Sequence, residues 1–225
     1  MCDKRKIKAV LFDVDGTLID TERMYMEAWR QAAIRQGFKM DEEYLLKTRA
    51  IDHKVCEEMF NECYPGFDYY KTWQLRVDIT EKWFDELENP VSLHKKGMTE
   101  LLNWLDENGY KKATASSTTR ERNDKHFKAV GIFDSFDVTI TGDMVERSKP
   151  FPDIFLLAAD KLGVKPEECL VCEDSLAGIE AAYAAGMCPV FIEDCVKPTD
   201  RVREIAYRLP KSLLEIPQII EELNS

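Results

Sequence analysis

Helical patterns and short apolar runs alternate between residues 96 and 192, and this alternation limits the folds that are open to the chain. Each helical pattern is followed by a run with strand character. The predicted helices are 96–108, 119–130, 151–162 and 175–185, and the predicted strands are 111–116, 136–140, 168–172 and 188–192. Two more helices are predicted at the C-terminus. This order predicts an α/β fold, in which a parallel sheet is flanked by helices and joined by right-handed crossovers.

One more strand is predicted at residues 7–12, far from the others in sequence. Helical periodicity fills the gap, because apolar residues recur at steps of three and four. The helical patterns are 21–36, 41–48, 51–62 and 68–87. We therefore predict a Rossmann-like core of residues 1–19 and 89–225. Residues 20–88 are predicted to form an inserted α-helical domain with its own small core.

Two aspartates separated by one residue follow the first predicted strand, in the sequence Asp13-Val14-Asp15-Gly16-Thr17. Ligands bind at the carboxyl edge of an open α/β sheet, so this strand would deliver both carboxylates to that edge. On an extended strand Asp13 and Asp15 would share one side, and Val14 would point into the core. Asp and Gly are also common in turns, so the motif taken alone leaves a plain turn open.

Polar motifs also follow two of the later strands. Ser116 and Ser117 end a predicted strand just before a helix, where hydroxyl and backbone N–H groups suit a phosphate. Ser and Thr are also the commonest residues that cap a helix, so a plain cap is the alternative. Lys149 lies in a turn that is restrained by Pro150 and Pro152, so its ammonium could offset charge on a phosphoryl group and a carboxylate. An exposed surface lysine is the alternative.

Glu173 and Asp174 come directly after the predicted strand 168–172. Adjacent buried carboxylates are costly unless they are compensated, and Mg²⁺ is the cation that oxygen ligands of this kind favour. Asp174 could alternatively cap the next helix. All four polar motifs fall at carboxyl ends of predicted strands in one sheet. We therefore predict that they meet in one site.

The charge of the chain bears on its partners. With 42 acidic and 31 basic residues, the formal net charge is −11, which disfavours nucleic acid and anionic membranes as partners. No apolar run approaches the roughly 18–20 residues that span a bilayer, and the N-terminus lacks a signal-peptide pattern. We therefore expect a cytoplasmic protein that acts on a small molecule, with a monomer as the default.

Taken together, the four motifs resemble those of the haloacid dehalogenase-like superfamily, and more closely its β-phosphoglucomutase and sugar-phosphatase branch. Residues 13–17 match the first motif, Ser116 the second, Lys149 the third, and Glu173 with Asp174 the fourth. The resemblance covers nearly the whole chain and includes the helical insert between the first two motifs. It implies a Rossmann-like core with a helical cap.

The resemblance also implies roles for these residues. Asp13 would be the nucleophile that forms an aspartyl phosphate. Asp15 would protonate the leaving oxygen and then activate the incoming water or hydroxyl, while its main-chain carbonyl binds Mg²⁺. Asp13, Glu173 and Asp174 would complete the protein ligands of Mg²⁺. The residues that would contact the phosphate or the rest of the substrate are Ser116, Ser117, Lys149, Gly16, Thr17 and Arg49.

The second acid of the first motif narrows the reaction. Dehalogenating members of the superfamily lack it, because no leaving oxygen needs a proton, so Asp15 favours phosphoryl transfer. Phosphonatases usually replace this acid as well. A regulatory protein without turnover would be expected to have lost Asp13, Asp15 or Lys149, and all three are present. A regulatory protein without enzymatic activity is therefore disfavoured.

Phosphatase and mutase are harder to separate. β-Phosphoglucomutases carry a histidine in the first cap helix and an arginine in a cap loop, and those positions fall near Tyr25 and Ile51 here. Arg49 or His53 could partly substitute, although both could equally be surface residues. We therefore predict a Mg²⁺-dependent phosphatase acting on a small phosphorylated metabolite such as a sugar phosphate. A β-phosphoglucomutase-type mutase is the alternative.

Overall fold

The computed structural model describes residues 5–47 and 53–225, and the chain divides into two compact units. The first, which we call the core unit, comprises Met1–Asp20 and Asn89–Ser225. The second, which we call the helical unit, is Thr21–Glu88.

The core unit is built on a five-stranded sheet in which every neighbouring pair is parallel. Its strands are β1 (Ala9–Phe12), β2 (Lys111–Ser116), β3 (Val138–Thr141), β4 (Cys169–Glu173) and β5 (Cys188–Phe191). Their order across the sheet is β3-β2-β1-β4-β5, so the first strand of the chain lies in the centre. This arrangement confirms the predicted α/β fold with a parallel sheet.

The register of the sheet brings three strand ends to one level. Leu11 of β1 pairs with Ala113 of β2 and Val171 of β4, and Phe12 pairs with Thr114 and Cys172 in the same two strands. Parallel strands point the same way, so the residues that follow β1, β2 and β4 lie at the same edge. The strand order and register alone therefore place the polar motifs at one edge of the sheet.

Helices flank this sheet and build the helical unit. The helices are α1 (Glu22–Ile34), α2 (Glu42–Lys47), α3 (His53–Cys63), α4 (Tyr69–Asp85), α5 (Met98–Glu107), α6 (Arg120–Ala129), α7 (Asp153–Leu162), α8 (Leu176–Ala184), α9 (Asp200–Ile205) and α10 (Ile216–Asn224). Short 3₁₀ helices occur at Pro90–Leu93, Gly142–Met144, Pro166–Glu168 and Leu213–Glu215. Within residues 5–47 and 53–225, we find no helix with the length and apolar character that crossing a membrane requires.

One face of the sheet packs against α7 and α8. Leu11 and Val171 belong to the same buried cluster as Phe155 of α7 and Ala181 of α8. Phe155 is completely buried, and full burial of such a side chain contributes about 1.5–3 kcal/mol. Side chains alternate along a strand, so the buried Val10 points to the other face. The strand that carries the first motif is thus fixed from both sides.

The helical unit has its own core. Ala28 and Ala32 of α1 pack against Ile79 of α4, and small side chains here let the two helices approach closely. An aromatic cluster adjoins them, in which Trp29 stacks on Phe60 and Tyr69 at centroid distances of 5.4 and 5.7 Å. Periodicity predicts helical patterns in this region, and the described helices match them.

Candidate active site

The first motif begins where the sheet ends. The last residue of β1 is Phe12, and the N–H of Asp13 still donates to the carbonyl of Cys172 in β4 at 3.0 Å. Asp13 is thereby fixed beside the end of β4 and is 8% exposed. Because Asp15 lies beyond the regular strand, strand alternation does not set its direction, which differs from the sequence-based argument.

A tight turn follows and positions Asp15. The carbonyl of Val14 accepts from the N–H groups of Leu18 and Ile19, both at 3.0 Å, and Gly16 donates to the carbonyl of Ile19 at 2.8 Å. Gly16 has φ of +83°, a conformation that glycine adopts with little strain. The turn leaves Asp15 partly exposed at the edge where Asp13 lies.

Lys149 joins three strand ends. Its Nζ donates to Asp13 Oδ1 at 2.5 Å, to the carbonyl oxygen of Ala115 at 3.0 Å and to Glu173 Oε1 at 2.9 Å. An ammonium group has three protons, and these three acceptors use them all. The side chain is 7% exposed, so the alternative of a surface lysine is wrong. Lys149 is instead a buried cation at the edge of the sheet.

Glu173 is the last residue of β4, and Asp174 follows it. Glu173 Oε2 accepts from the N–H of Ser175 at 2.5 Å, while Oε1 faces Lys149. Ser175 caps α8, because its hydroxyl accepts from the N–H of Gly178 at 3.0 Å. Asp174 is therefore not the cap of this helix, which was the alternative left open by the sequence.

Asp13, Glu173 and Asp174 form a group that could hold a metal ion. One carboxylate oxygen from each lies within 4.8 Å of the others. Carboxylate oxygens are the ligands that Mg²⁺ and other hard cations prefer. When all three carboxyl groups are ionised, the three carboxylates and one ammonium leave two negative charges in excess, which one divalent cation would balance. The donor set and the charge therefore both fit Mg²⁺.

Burial and neighbouring charges shift the ionisation of this group. Burial raises the pKa of Asp13 to about 8; Lys149 opposes this rise and Glu173 reinforces it. Burial acts to lower the pKa of Lys149, but the carboxylates of Asp13 and Glu173 outweigh it and raise the pKa above the ordinary value for lysine. Lys149 is therefore cationic over the whole range in which the protein would be assayed.

The end of β2 places further polar groups at the same edge of the sheet. Ser116 is 2% exposed, and its Oγ accepts from the N–H of Thr118 at 3.1 Å, whereas Ser117 is exposed. The N–H of Arg120 at the start of α6 donates to the carboxylate of Asp143 at 3.2 and 3.3 Å. The N–H groups of Thr118 and Arg120 are thus hydrogen-bonded within the protein, and Ser117 is the exposed member of the serine pair.

Two of the predicted substrate contacts, Thr17 and Gly16, are buried. Thr17 is completely buried, and its Oγ1 has no hydrogen-bond partner among the described residues. Gly16 is buried as well. Arg49 lies outside the described residues, as does Ile51. His53 lies in α3, where its Nδ1 is 2.8 Å from the Tyr69 hydroxyl.

Three residues that contribute to the site were not identified from the sequence. The carbonyl of Ala115 carried no signal, because any residue offers one. Asp143 lies 23 residues from the N–H that it binds, so its role depends on tertiary structure. Gly178 did carry a signal, since glycine within a helical pattern is unfavourable and usually has a packing reason.

Known proteins match both the sequence and the fold. A model of the haloacid dehalogenase-like hydrolase family matches residues 7–186. The "Phosphorylated carbohydrates phosphatase" of Thermotoga maritima is 34% identical over 184 residues, covering 80% of this chain and 82% of that protein. Hexitol phosphatase A of Escherichia coli is 30% identical over 206 residues, covering 89% of each. The crystal structure of β-phosphoglucomutase from Clostridium difficile covers 97% of both chains, with a TM-score of 0.79 and 25% identity.

The family model spans most of the chain, and it contains all four motifs that converge at the edge of the sheet. The resemblance seen in those motifs is confirmed. The chain belongs to the haloacid dehalogenase-like hydrolases and is an enzyme of the phosphoric monoester hydrolase class.

Proposed function

We propose that this protein is a Mg²⁺-dependent phosphatase that hydrolyses a small phosphorylated metabolite, such as a sugar phosphate, through an aspartyl phosphate on Asp13. The observation that carries the proposal is the contact of the Lys149 ammonium with Asp13 and Glu173 beside Asp174. A buried nucleophile, a fixed cation and a set of metal ligands are what phosphoryl transfer needs.

Asp13 and Asp15 have different roles in this proposal. A carboxylate oxygen of Asp13 attacks phosphorus, the bond from phosphorus to the leaving oxygen breaks, and Asp15 gives that oxygen a proton. Asp15 then takes a proton from water, and the water oxygen attacks the aspartyl phosphate to release inorganic phosphate and restore Asp13. Partial exposure of Asp15 is compatible with proton exchange between the two steps.

Lys149, Ser116 and Ser117 are assigned to the phosphoryl oxygens. Lys149 already contacts the attacking carboxylate, so it is placed to stabilise charge that passes from Asp13 to the phosphoryl group. Ser117 is the exposed member of the serine pair. Gly16 and Thr17 are both buried, and the N–H of Gly16 already donates to the carbonyl of Ile19, so their contacts with the substrate stay predictions.

Mg²⁺ would be held by Asp13, Asp174 and the main-chain carbonyl of Asp15, with Glu173 beside them. When bound, Mg²⁺ neutralises carboxylates and phosphoryl oxygens. Both oxygens of Glu173 accept hydrogen bonds from the protein, so its first assignment is to hold Lys149. Direct ligation of the metal by Glu173 stays a prediction.

The names of the relatives support a phosphorylated carbohydrate as substrate, since one is a phosphorylated carbohydrates phosphatase and another a hexitol phosphatase. We assign substrate specificity to the helical unit, including Arg49 and His53.

A mutase is the second candidate, because the solved β-phosphoglucomutase covers 97% of this chain. The histidine position of the mutases falls near Tyr25, and this mismatch favours hydrolysis. We further propose a monomeric cytoplasmic enzyme with neither nucleic acid nor a membrane as partner.

A screen of phosphorylated metabolites tests the proposed reaction. Free phosphate and isomerised sugar phosphate are measured in parallel for each compound, with Mg²⁺ present. Release of phosphate from sugar phosphates is the expected result. Isomerisation of β-glucose 1-phosphate without release of phosphate would replace the phosphatase with the mutase.

Removal of the metal should stop the reaction. We expect hydrolysis of p-nitrophenyl phosphate to fall by about 100-fold or more in excess EDTA, because the phosphoryl charge then lacks its divalent partner. Excess Mg²⁺ should restore the rate, and the melting temperature should rise with Mg²⁺ concentration. Undiminished hydrolysis in EDTA would remove Mg²⁺ from the mechanism.

Gly142 directly follows β3 and lies against the backbone of Ser117 and Thr118. Its N–H donates to the carbonyl of Thr118 at 3.0 Å, and a Cβ on this glycine would lie 2.5 Å from the carbonyl oxygen of Ser117. Gly142→Ala should therefore displace Ser117, and we expect kcat/KM for p-nitrophenyl phosphate to fall by about tenfold.

Gly109→Ala is the control for this change. Gly109 precedes β2 at the opposite edge of the sheet and has φ of +71°, and a Cβ on this glycine would meet none of the described residues within 4 Å. Alanine there should lower the melting temperature through backbone strain and leave kcat/KM unchanged. Equal kcat/KM in Gly142→Ala and the parent protein would show that Ser117 is not held by this contact.

A further inference from the structure

Gly178 lies in the first turn of α8, directly beside the side chain of Glu173. A Cβ on Gly178 would overlap the Oε1 and Cδ atoms of Glu173 and would lie 2.6 Å from its Cγ. The backbone of Gly178 has no positive φ, so its conformation is open to any residue. Alanine would also favour the helix more than glycine does. What requires glycine here is therefore the space that Glu173 occupies.

Glu173 uses that space to connect two parts of the site. Its side chain is 1% exposed, with Oε2 on the N–H of Ser175 and Oε1 on the Nζ of Lys149. Lys149 has no spare proton, because Asp13 and the carbonyl of Ala115 take the other two. A shift of Glu173 therefore changes the position of the ammonium that contacts the nucleophile.

We propose that Gly178 is a positioning residue for phosphoryl transfer, which acts through Glu173 on Lys149. The absent side chain leaves the volume in which the Glu173 carboxylate can reach both of its donors. This inference rests on the proposed phosphatase function. The overlapping atoms belong to a flexible side chain, so alanine moves the carboxylate of Glu173 and leaves the backbone of α8 in place.

A double-mutant cycle tests the proposal. Gly178→Ala, Glu173→Ala and the double variant are compared with the parent protein in hydrolysis of p-nitrophenyl phosphate with Mg²⁺. We expect Gly178→Ala to lower kcat by about 100-fold, because a misplaced cation no longer meets the charge of the transition state. The double variant should match Glu173→Ala within about threefold, since the added methyl group then has nothing to displace.

Melting temperature and a control on the same helix separate positioning from folding. Tyr183 of α8 is 54% exposed, and Tyr183→Ala should keep the parent kcat. If Gly178→Ala does not fold, the double variant should fold and show the rate of Glu173→Ala. Failure of the double variant to fold would instead show that α8 itself needs the glycine, and would overturn the proposal.

The outcomes also separate this inference from the proposed function. A parent protein that hydrolyses no phosphomonoester rejects the phosphatase. An active parent with an equally active Gly178→Ala variant rejects only the role of Gly178. A double variant in which the two losses multiply would show that Gly178 acts independently of Glu173, which also rejects the proposal.

Discussion

Asp13→Asn should reduce hydrolysis of p-nitrophenyl phosphate by about 10⁴-fold or more, since loss of a covalent nucleophile has effects of this size. Asparagine keeps the shape of the side chain and a carbonyl oxygen that can accept from Lys149, but it cannot form an acyl phosphate. Steady-state kinetics with Mg²⁺ measure the loss. Mass spectrometry after an acid quench should detect a phosphoryl group on Asp13 in the parent protein alone.

Folding of this variant should be nearly unchanged without metal. The pKa of Asp13 is raised to about 8 by burial, so a neutral side chain suits the metal-free protein at neutral pH. Mg²⁺ should stabilise the variant less than the parent, because one ligand is gone.

Asp124→Asn is the matched control. It breaks a partly exposed pair with Arg120, which contributes about 0–1 kcal/mol, and should leave activity intact. Hydrolysis by Asp13→Asn within tenfold of the parent rate would place the nucleophile elsewhere.

The convergence of Asp13, Lys149, Glu173 and Asp174 was predictable from the sequence. Each follows a predicted strand or, for Lys149, lies in the turn between β3 and α7, and parallel strands deliver their ends to one edge. Local patterns give the strands, and topology then supplies the proximity.

The contacts within the site were not predictable in the same way. The end of β1 at Phe12 shows that a turn, rather than an extended strand, positions Asp15. The use of both Glu173 oxygens depends on how α8 begins after β4, and the capping of α6 depends on Asp143 from a different loop. The contacts of Glu173 with Lys149 and of Asp143 with Arg120 join residues that are 24 and 23 positions apart, and the contact of Glu173 with Ser175 depends on the turn between β4 and α8. Periodicity and propensity contain no information about either kind of contact.

Lys149→Met should lower both activity and stability, because the same ammonium serves both. Methionine fills a similar volume but leaves Asp13 and Glu173 without their cation, and breaking a buried ion pair costs about 3–5 kcal/mol. Metal-free protein should show this loss in urea unfolding at pH 8, and the loss should shrink at pH 5. Lys149 lowers the pKa of Asp13, so without the ammonium this pKa rises and protonation of Asp13 at the lower pH relieves unpaired charge. With Mg²⁺, kcat should fall by about 10³-fold.

Lys112→Met distinguishes the role of Lys149 from the general effect of removing a buried lysine. Lys112 is 5% exposed and lies near the start of β2, and its ion-pair partner Asp106 has a side chain that is 61% exposed. Water can therefore solvate Asp106 once the lysine is gone, and we expect a loss below about 1 kcal/mol with kcat unchanged. Equal losses of kcat in the two variants would show that sheet packing, rather than the charge at Lys149, limits the rate. A Lys149→Met rate within tenfold of the parent rate would likewise contradict the assigned role, because neither Asp13 nor the phosphoryl group would then depend on that cation.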